Sequence, residues 1–178
     1  SGDSSGRIIL ESYPGELAIL DGSSVAKGAG TGQITVNGDF WHFRNIEVSG
    51  MPRNGILVNG SNNFFEYVNS HGNGLNGFQV YSSDAYPYGT NGSWNVFIDC
   101  DSYDNSGVGV GGDHGDGENS DGFSISSGRG NRFIRPRAWG NSDDGCDIWQ
   151  SLDTQIEGLI THDNGDAAGT GDGNGLKG

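Results

Sequence analysis

The run NSDDGCDIWQ, Asn141 to Gln150, puts three carboxylates into five positions: Asp143, Asp144 and Asp147. Crowded together, they raise one another's pKa values unless a cation compensates them. An all-oxygen ligand set suits a hard ion, and Ca²⁺ tolerates irregular, flexible geometry better than Mg²⁺ does. A lysine held near such a cation has its ammonium form disfavoured and can act as a general base. Lys177, in the motif NGLK, is the candidate, one of 9 basic residues in the chain. This chemistry depends on elements that bring Lys177, and Asp121 of the motif SDGF, beside the acidic run.

A repeat supplies those elements. The tetrads NGIL, NGFQ, DGFS, DGCD and NGLK place glycine at 55, 77, 122, 145 and 175, each preceded by Asn or Asp. An apolar residue follows each glycine (Ile56, Phe78, Phe123, Cys146, Leu176), and in the first four another stands two further on (Val58, Val80, Ile125, Ile148). Alternation at period two is a short strand with one buried face. A second strand precedes each, starting at Phe43, Phe65, Phe97, Phe133 and Ile156. These starts define a unit of about 22 residues, lengthened twice by insertions on one side. RIIL, AILDG and ITVNG read as further strands ahead of Phe43. Asparagines recur in phase, at Asn73, Asn105, Asn141 and Asn164 and at Asn63, Asn95 and Asn131, as in hydrogen-bonded ladders along stacked turns. A unit this short cannot bury its apolar face alone, so the fold class is all-β, a parallel β-helix whose helices, if any, are minor.

In such a solenoid, equivalent positions of adjacent coils lie roughly 4.8 Å apart. The column before glycine holds Asn54, Asn76, Asp121, Asp144 and Asn174, and the outward column two after it holds Leu57, Gln79, Ser124, Asp147 and Lys177. Asp121 therefore neighbours Asp144, Asp147 neighbours Lys177, and Asp143 adjoins the same bend. Asp121, Asp143, Asp144 and Asp147 are the expected Ca²⁺ ligands. The plainer alternative is that Asx residues before glycine serve turns, since three of the five units use Asn there, and that Lys177 simply pairs with Asp147 at the surface. The acidic insertion GGDHGDGENS is by default a solvated loop.

Composition narrows the class. Against 9 Lys+Arg stand 23 Asp+Glu in 178 residues, a net charge of −14 that disfavours nucleic acid and suits one domain, residues 1–178, with a secreted, extracellular kind of surface. No apolar run reaches the roughly 18 residues of a membrane span, and the first residues, SGDSSGRIIL, lack the pattern of a signal peptide. The 34 glycines suit tight bends, and regularly placed Phe, Ile and Val argue against low-complexity disorder. Cys100 and Cys146 are read as buried free thiols.

The motifs GENSDGF, RAWGNSDDGCDIW and GNGLK resemble those of the pectate lyases of polysaccharide lyase family nine. The resemblance runs from about SYPGELAILDG to the last residue. It implies a right-handed parallel β-helix, one Ca²⁺ held by Asp121, Asp143, Asp144 and Asp147, Lys177 as the base, and an acidic polysaccharide, polygalacturonate or a related uronate polymer, cleaved by β-elimination. An acidic protein then meets a polyanionic substrate through the cation. Lyases of this kind continue for further coils beyond the lysine, so the chain is expected to be part of a longer solenoid. Two other readings stay open. A β-helical glycoside hydrolase needs separated acid and base carboxylates, and its usual Gly-His-Gly and Arg-Ile-Lys motifs are missing. A non-catalytic carbohydrate-binding or structural solenoid would use calcium only to stiffen its coils. His71, His162, Arg137 and Trp139 lie at outward phases and receive no role.

Overall fold

The computed structural model describes residues 2–26, 32–81, 90–108, 117–165 and 170–178. Among them every regular element is a strand, and every strand pair is parallel. The chain winds as a parallel β-helix. No helix of the described residues is long and apolar enough to cross a membrane.

One six-stranded sheet runs β3 (Ile34–Val36), β5 (Ile56–Val58), β7 (Phe78–Val80), β10 (Phe123–Ile125), β13 (Cys146–Ile148) and β16 (Leu176–Lys177), in that spatial order. A ten-stranded sheet makes the rest of the wall. In the earlier coils its strands are long, β4 (Trp41–Ser49) and β6 (Phe64–His71). Strands β1 (Ile8–Glu11) and β2 (Ala18–Asp21) pair with the two halves of β4. Later coils break each long strand in two: β8 (Val96–Ile98) and β9 (Asp101–Tyr103), β11 (Arg132–Ile134) and β12 (Arg137–Trp139), β14 (Gln155–Glu157) and β15 (Ile160–His162). The break follows a column of left-handed residues, Asn45, Tyr67, Asp99 and Arg135, with φ between 50° and 52°. Left-handed backbone is costly for any residue with a Cβ, and stacking the same bend in each coil holds it in place.

The core follows from the alternation. Phe43, Phe65, Phe97 and Phe133 stack in one inward column with ring centroids 4.9, 4.6 and 4.5 Å apart. Phe78 and Phe123 face them edge-on from the six-stranded sheet. At the bends the inward positions are polar, and ladders of hydrogen bonds link them from coil to coil. Asn73 Nδ2 donates to Asn105 Oδ1 at 2.8 Å, Asn105 Nδ2 to Asn141 Oδ1 at 2.8 Å, and Asn141 Nδ2 to Asn164 Oδ1 at 2.9 Å. The second ladder works through backbone amides: Asn63 and Asn95 donate from N to Asn95 and Asn131 Oδ1, each at 2.9 Å. Glycine before the later strands of the six-stranded sheet, β5 onward, is a packing requirement. A Cβ on Gly122 would lie 2.6 Å from the Gly145 carbonyl oxygen and 2.7 Å from the Ala138 Cβ.

The two insertions fall at opposite ends of strands of the six-stranded sheet, one after β7 and one before β10, and not on one side as expected. Residues 111–116 of the acidic insertion lie outside the described residues.

Candidate metal and catalytic site

The site is built on the bend between β12 and β13. Gly140 turns the chain with φ 64°, Asn141 plugs the interior through its ladder, and Asp143 and Asp144 follow before Gly145 starts β13. The pairing of β10 with β13 sets Phe123 beside Cys146, so Asp121 and Asp144 occupy adjacent coils. The Asp144 amide donates to Asp121 Oδ1 at 3.2 Å, and the Asn174 amide donates to Asp144 Oδ1 at 2.7 Å. In the preceding coil Asn76 acts likewise, its Oδ1 accepting the Asp121 amide at 2.8 Å. One oxygen per residue thus serves the ladder, a task that an amide performs equally well.

The second oxygen is what an amide would not supply. Asp144 is fully buried, and its Oδ2 has no hydrogen-bond partner. Asp121, Asp143 and Asp144 each bring one carboxylate oxygen within 4.8 Å of the other two. All three residues are buried. Asp143 is fixed by loop amides, Asn119 N to its Oδ2 at 2.8 Å and Asp172 N to its Oδ1 at 2.7 Å. Burial, and then the charges of Asp143 and Asp147, push the Asp121 carboxyl well above its ordinary value. Buried carboxylates that destabilise one another, with a buried oxygen that lacks a hydrogen bond, form a donor set that fits a hard cation.

Asp147 stands outside that tight group. It is half-buried on β13, and its pKa is raised first by burial, with Lys177 acting against the shift. Its register partner is Lys177 on β16. The Lys177 Nζ lies 3.3 Å from Asp144 Oδ2, an ion-pair distance without hydrogen-bond geometry, and donates to Asp172 Oδ2 at 2.9 Å. The Lys177 pKa is raised, first by the Asp172 hydrogen bond. The direction is opposite to the depression expected beside a divalent ion, since Asp172, Asp144 and Asp147 all favour the ammonium. Sequence reasoning missed Asp172, whose amide holds Asp143 and whose carboxylate holds Lys177. Its signal was an acid five residues before the lysine, across the NG turn.

The outward residues left without a role are structural partners of one another. His71, Tyr103, Trp139 and His162 stack face to face along the ten-stranded sheet, and Arg137 makes a two-pronged contact with Asp101. Both cysteines are free and buried, and burial lifts the Cys100 thiol to about 12 and Cys146 in the same direction.

A family model described as the Pel9A-like, right handed beta helix region matches residues 1–178. The chain is 36% identical over 186 residues to a pectate lyase L of Paenibacillus polymyxa, covering 94% of this chain and 39% of that protein. It is 28% identical over 165 residues to the pectate lyase PEL9 of Emericella nidulans, covering 85% of this chain and 37% of the relative. The crystal structure of pectate lyase Pel9A superposes with a TM-score of 0.64 at 30% identity, over 96% of this chain and 40% of that one. The chain therefore spans about two fifths of the length of the relatives it matches.

Proposed function

The chain belongs to the Pel9A-like right-handed β-helix family, and on that premise we propose that it carries the reaction centre of a calcium-dependent lyase that cleaves polygalacturonate, or a related uronate polymer, by β-elimination outside the cell. The observation that carries the proposal is the buried trio Asp121, Asp143 and Asp144 with Lys177 directly beside it. Asp121, Asp143 and Asp144, with Asp147 from the adjoining strand, are the residues that would hold Ca²⁺. When bound, the ion supplies positive charge that attracts the substrate carboxylate and favours negative charge developing next to C5.

Lys177 takes the C5 proton onto Nζ. The C5–H electrons form the C4–C5 double bond, the C4–O bond breaks, and the glycosidic oxygen leaves with that electron pair and then gains a proton. Asp172 and Asp144 keep the Lys177 amine at the trio while it is an ammonium. Once the carboxylates are neutralised, the same position favours the free amine.

The Asx ladder supports a second reading, since Asp121 and Asp144 fill positions that Asn fills in neighbouring coils. That reading accounts for Oδ1 of Asp144 and leaves its buried Oδ2 with no hydrogen bond and only the Lys177 ammonium at 3.3 Å.

The test is formation of unsaturated product, followed by ultraviolet absorbance with polygalacturonate and calcium, which a hydrolase does not generate. The rate is expected to rise toward alkaline pH. Lys177→Ala should abolish product while leaving calcium affinity nearly intact, and Lys177→Arg should fail too, because a guanidinium stays protonated. Substantial activity in the alanine variant would remove Lys177 from the mechanism.

A further inference from the structure

The cations of this acidic chain are nearly all accounted for by partners. Among the described residues, Arg44, Arg129, Arg135, Arg137 and Lys177 each meet a carboxylate, and Arg7 lies over the Phe40 and Phe64 rings. Arg132 stands exposed on β11, in the ten-stranded sheet. Arg53 differs from all of these. It is half-buried, it has no carboxylate partner among the described residues, and its Nε is shielded from water without a hydrogen bond. A guanidinium stays charged at any working pH, so a shielded donor with no acceptor is costly. An open end of the solenoid is not the reason. The Arg53 amide donates to the Gly32 carbonyl at 3.1 Å and its carbonyl accepts from the Leu75 amide at 3.1 Å, so a coil lies on each side.

The register places this cation on the face of the reaction centre. Ile56, Phe78, Phe123 and Cys146 are successive partners, so the residues three before them, Arg53, Leu75, Ser120 and Asp143, form one column. Arg53 therefore stands three coils from Asp143, about 14 Å along the axis. Between the two, that column holds Leu75 and Ser120, and the outward column beside it holds Gln79 and Ser124. None of these is an acid, and Gln79 is held in place by Asn54, whose Nδ2 donates to its Oε1 at 2.9 Å. An uncharged polar track thus joins the acidic cluster to an arginine that lacks an anion.

We propose that Arg53 is a substrate-binding residue that takes the carboxylate of a uronate about three units along the polymer from the one at the aspartate cluster. This rests on the uronate-polymer reading of the site. A pyranose unit in an extended chain advances about as far as one coil, so units and coils keep step across the six-stranded sheet. The guanidinium fork matches a carboxylate in two parallel hydrogen bonds. In a chain of net charge −14, it also supplies positive charge to a polyanion at a point where the cation of the aspartate cluster is too distant to act, beyond a Debye length of about 8 Å.

The experiment is calorimetric titration with digalacturonate and with hexagalacturonate in calcium buffer, in a Lys177→Ala background so that the ligands stay intact. Arg53→Gln should weaken hexagalacturonate binding by roughly tenfold, the loss of a charge-assisted hydrogen bond. Digalacturonate, too short to reach from the cluster to Arg53, should bind as in the parent, and calcium affinity should not change. Arg53→Lys keeps the charge and loses the fork, so it should weaken hexagalacturonate alone and by less, a readout that stands even if the glutamine variant folds poorly. Arg132→Gln should match its parent. Equal hexagalacturonate affinity in the Arg53 variants, or an equal loss for both lengths, overturns the subsite while the pectate reading stands. A parent that binds neither oligouronate overturns both.

Discussion

Asp121→Asn isolates the electrostatic cost of the cluster from its hydrogen bonding. Asparagine keeps an Oδ1 for the Asp144 amide, as Asn76 does for the amide of Asp121. What it removes is one of three carboxylates whose oxygens lie within 4.8 Å. At that separation a like-charge pair is worth about 3.5 kcal/mol with an effective dielectric of 20. Protonation sets a ceiling on what the protein suffers. The folded pKa of Asp121 is raised above its unfolded value of 3.8, so the folded state binds the extra proton and stability falls as pH rises from 3.8 through the folded pKa. At about 1.4 kcal/mol per pH unit the loss cannot exceed about 4 kcal/mol at pH 7.

The variant is therefore expected to be about 1 to 4 kcal/mol more stable than its parent at neutral pH in chelator, with the gain vanishing below the unfolded carboxylate pKa. Calcium should stabilise the parent by mass action and the variant far less. Urea unfolding at several pH values, with and without calcium, reads both effects. A variant less stable than its parent in chelator at neutral pH would refute the burial argument. An undiminished calcium response would place the ion elsewhere.

Phe97 is fully buried between Phe65 and Phe133, so Phe97→Ala should cost about 3 to 5 kcal/mol in the same assay without changing calcium affinity. Asn105→Ala should cost about 3 kcal/mol, because the Asn73 amide and side chain lose their acceptor in a buried bend; a loss under about 1 kcal/mol would mean that water replaces the ladder.

The columns were legible in the sequence because a β-helix has only one way to bring its strands together. Once Phe43, Phe65, Phe97 and Phe133 share a phase, the register of every coil is set, and with it the pairing of Phe123 with Cys146 and of Asp147 with Lys177. The Asn ladders follow from the same phase, since an amide buried at every bend must find its partner one coil away.

The sequence by itself therefore determined the solenoid, its inward columns, and the adjacency of Asp121 with Asp144. Tertiary structure alone decided what depends on loops of unequal length. Asp143 joins the trio because amides from Asn119 and Asp172 grip its two oxygens, and neither residue shares a strand phase with it. Asp147 stays outside the trio because it starts from the strand and the other three from the bend or just before it. Lys177 turns toward Asp172 and Asp144 because a long side chain settles on the nearest unneutralised charge, and repeat phase fixes where its Cα sits but not where its ammonium goes.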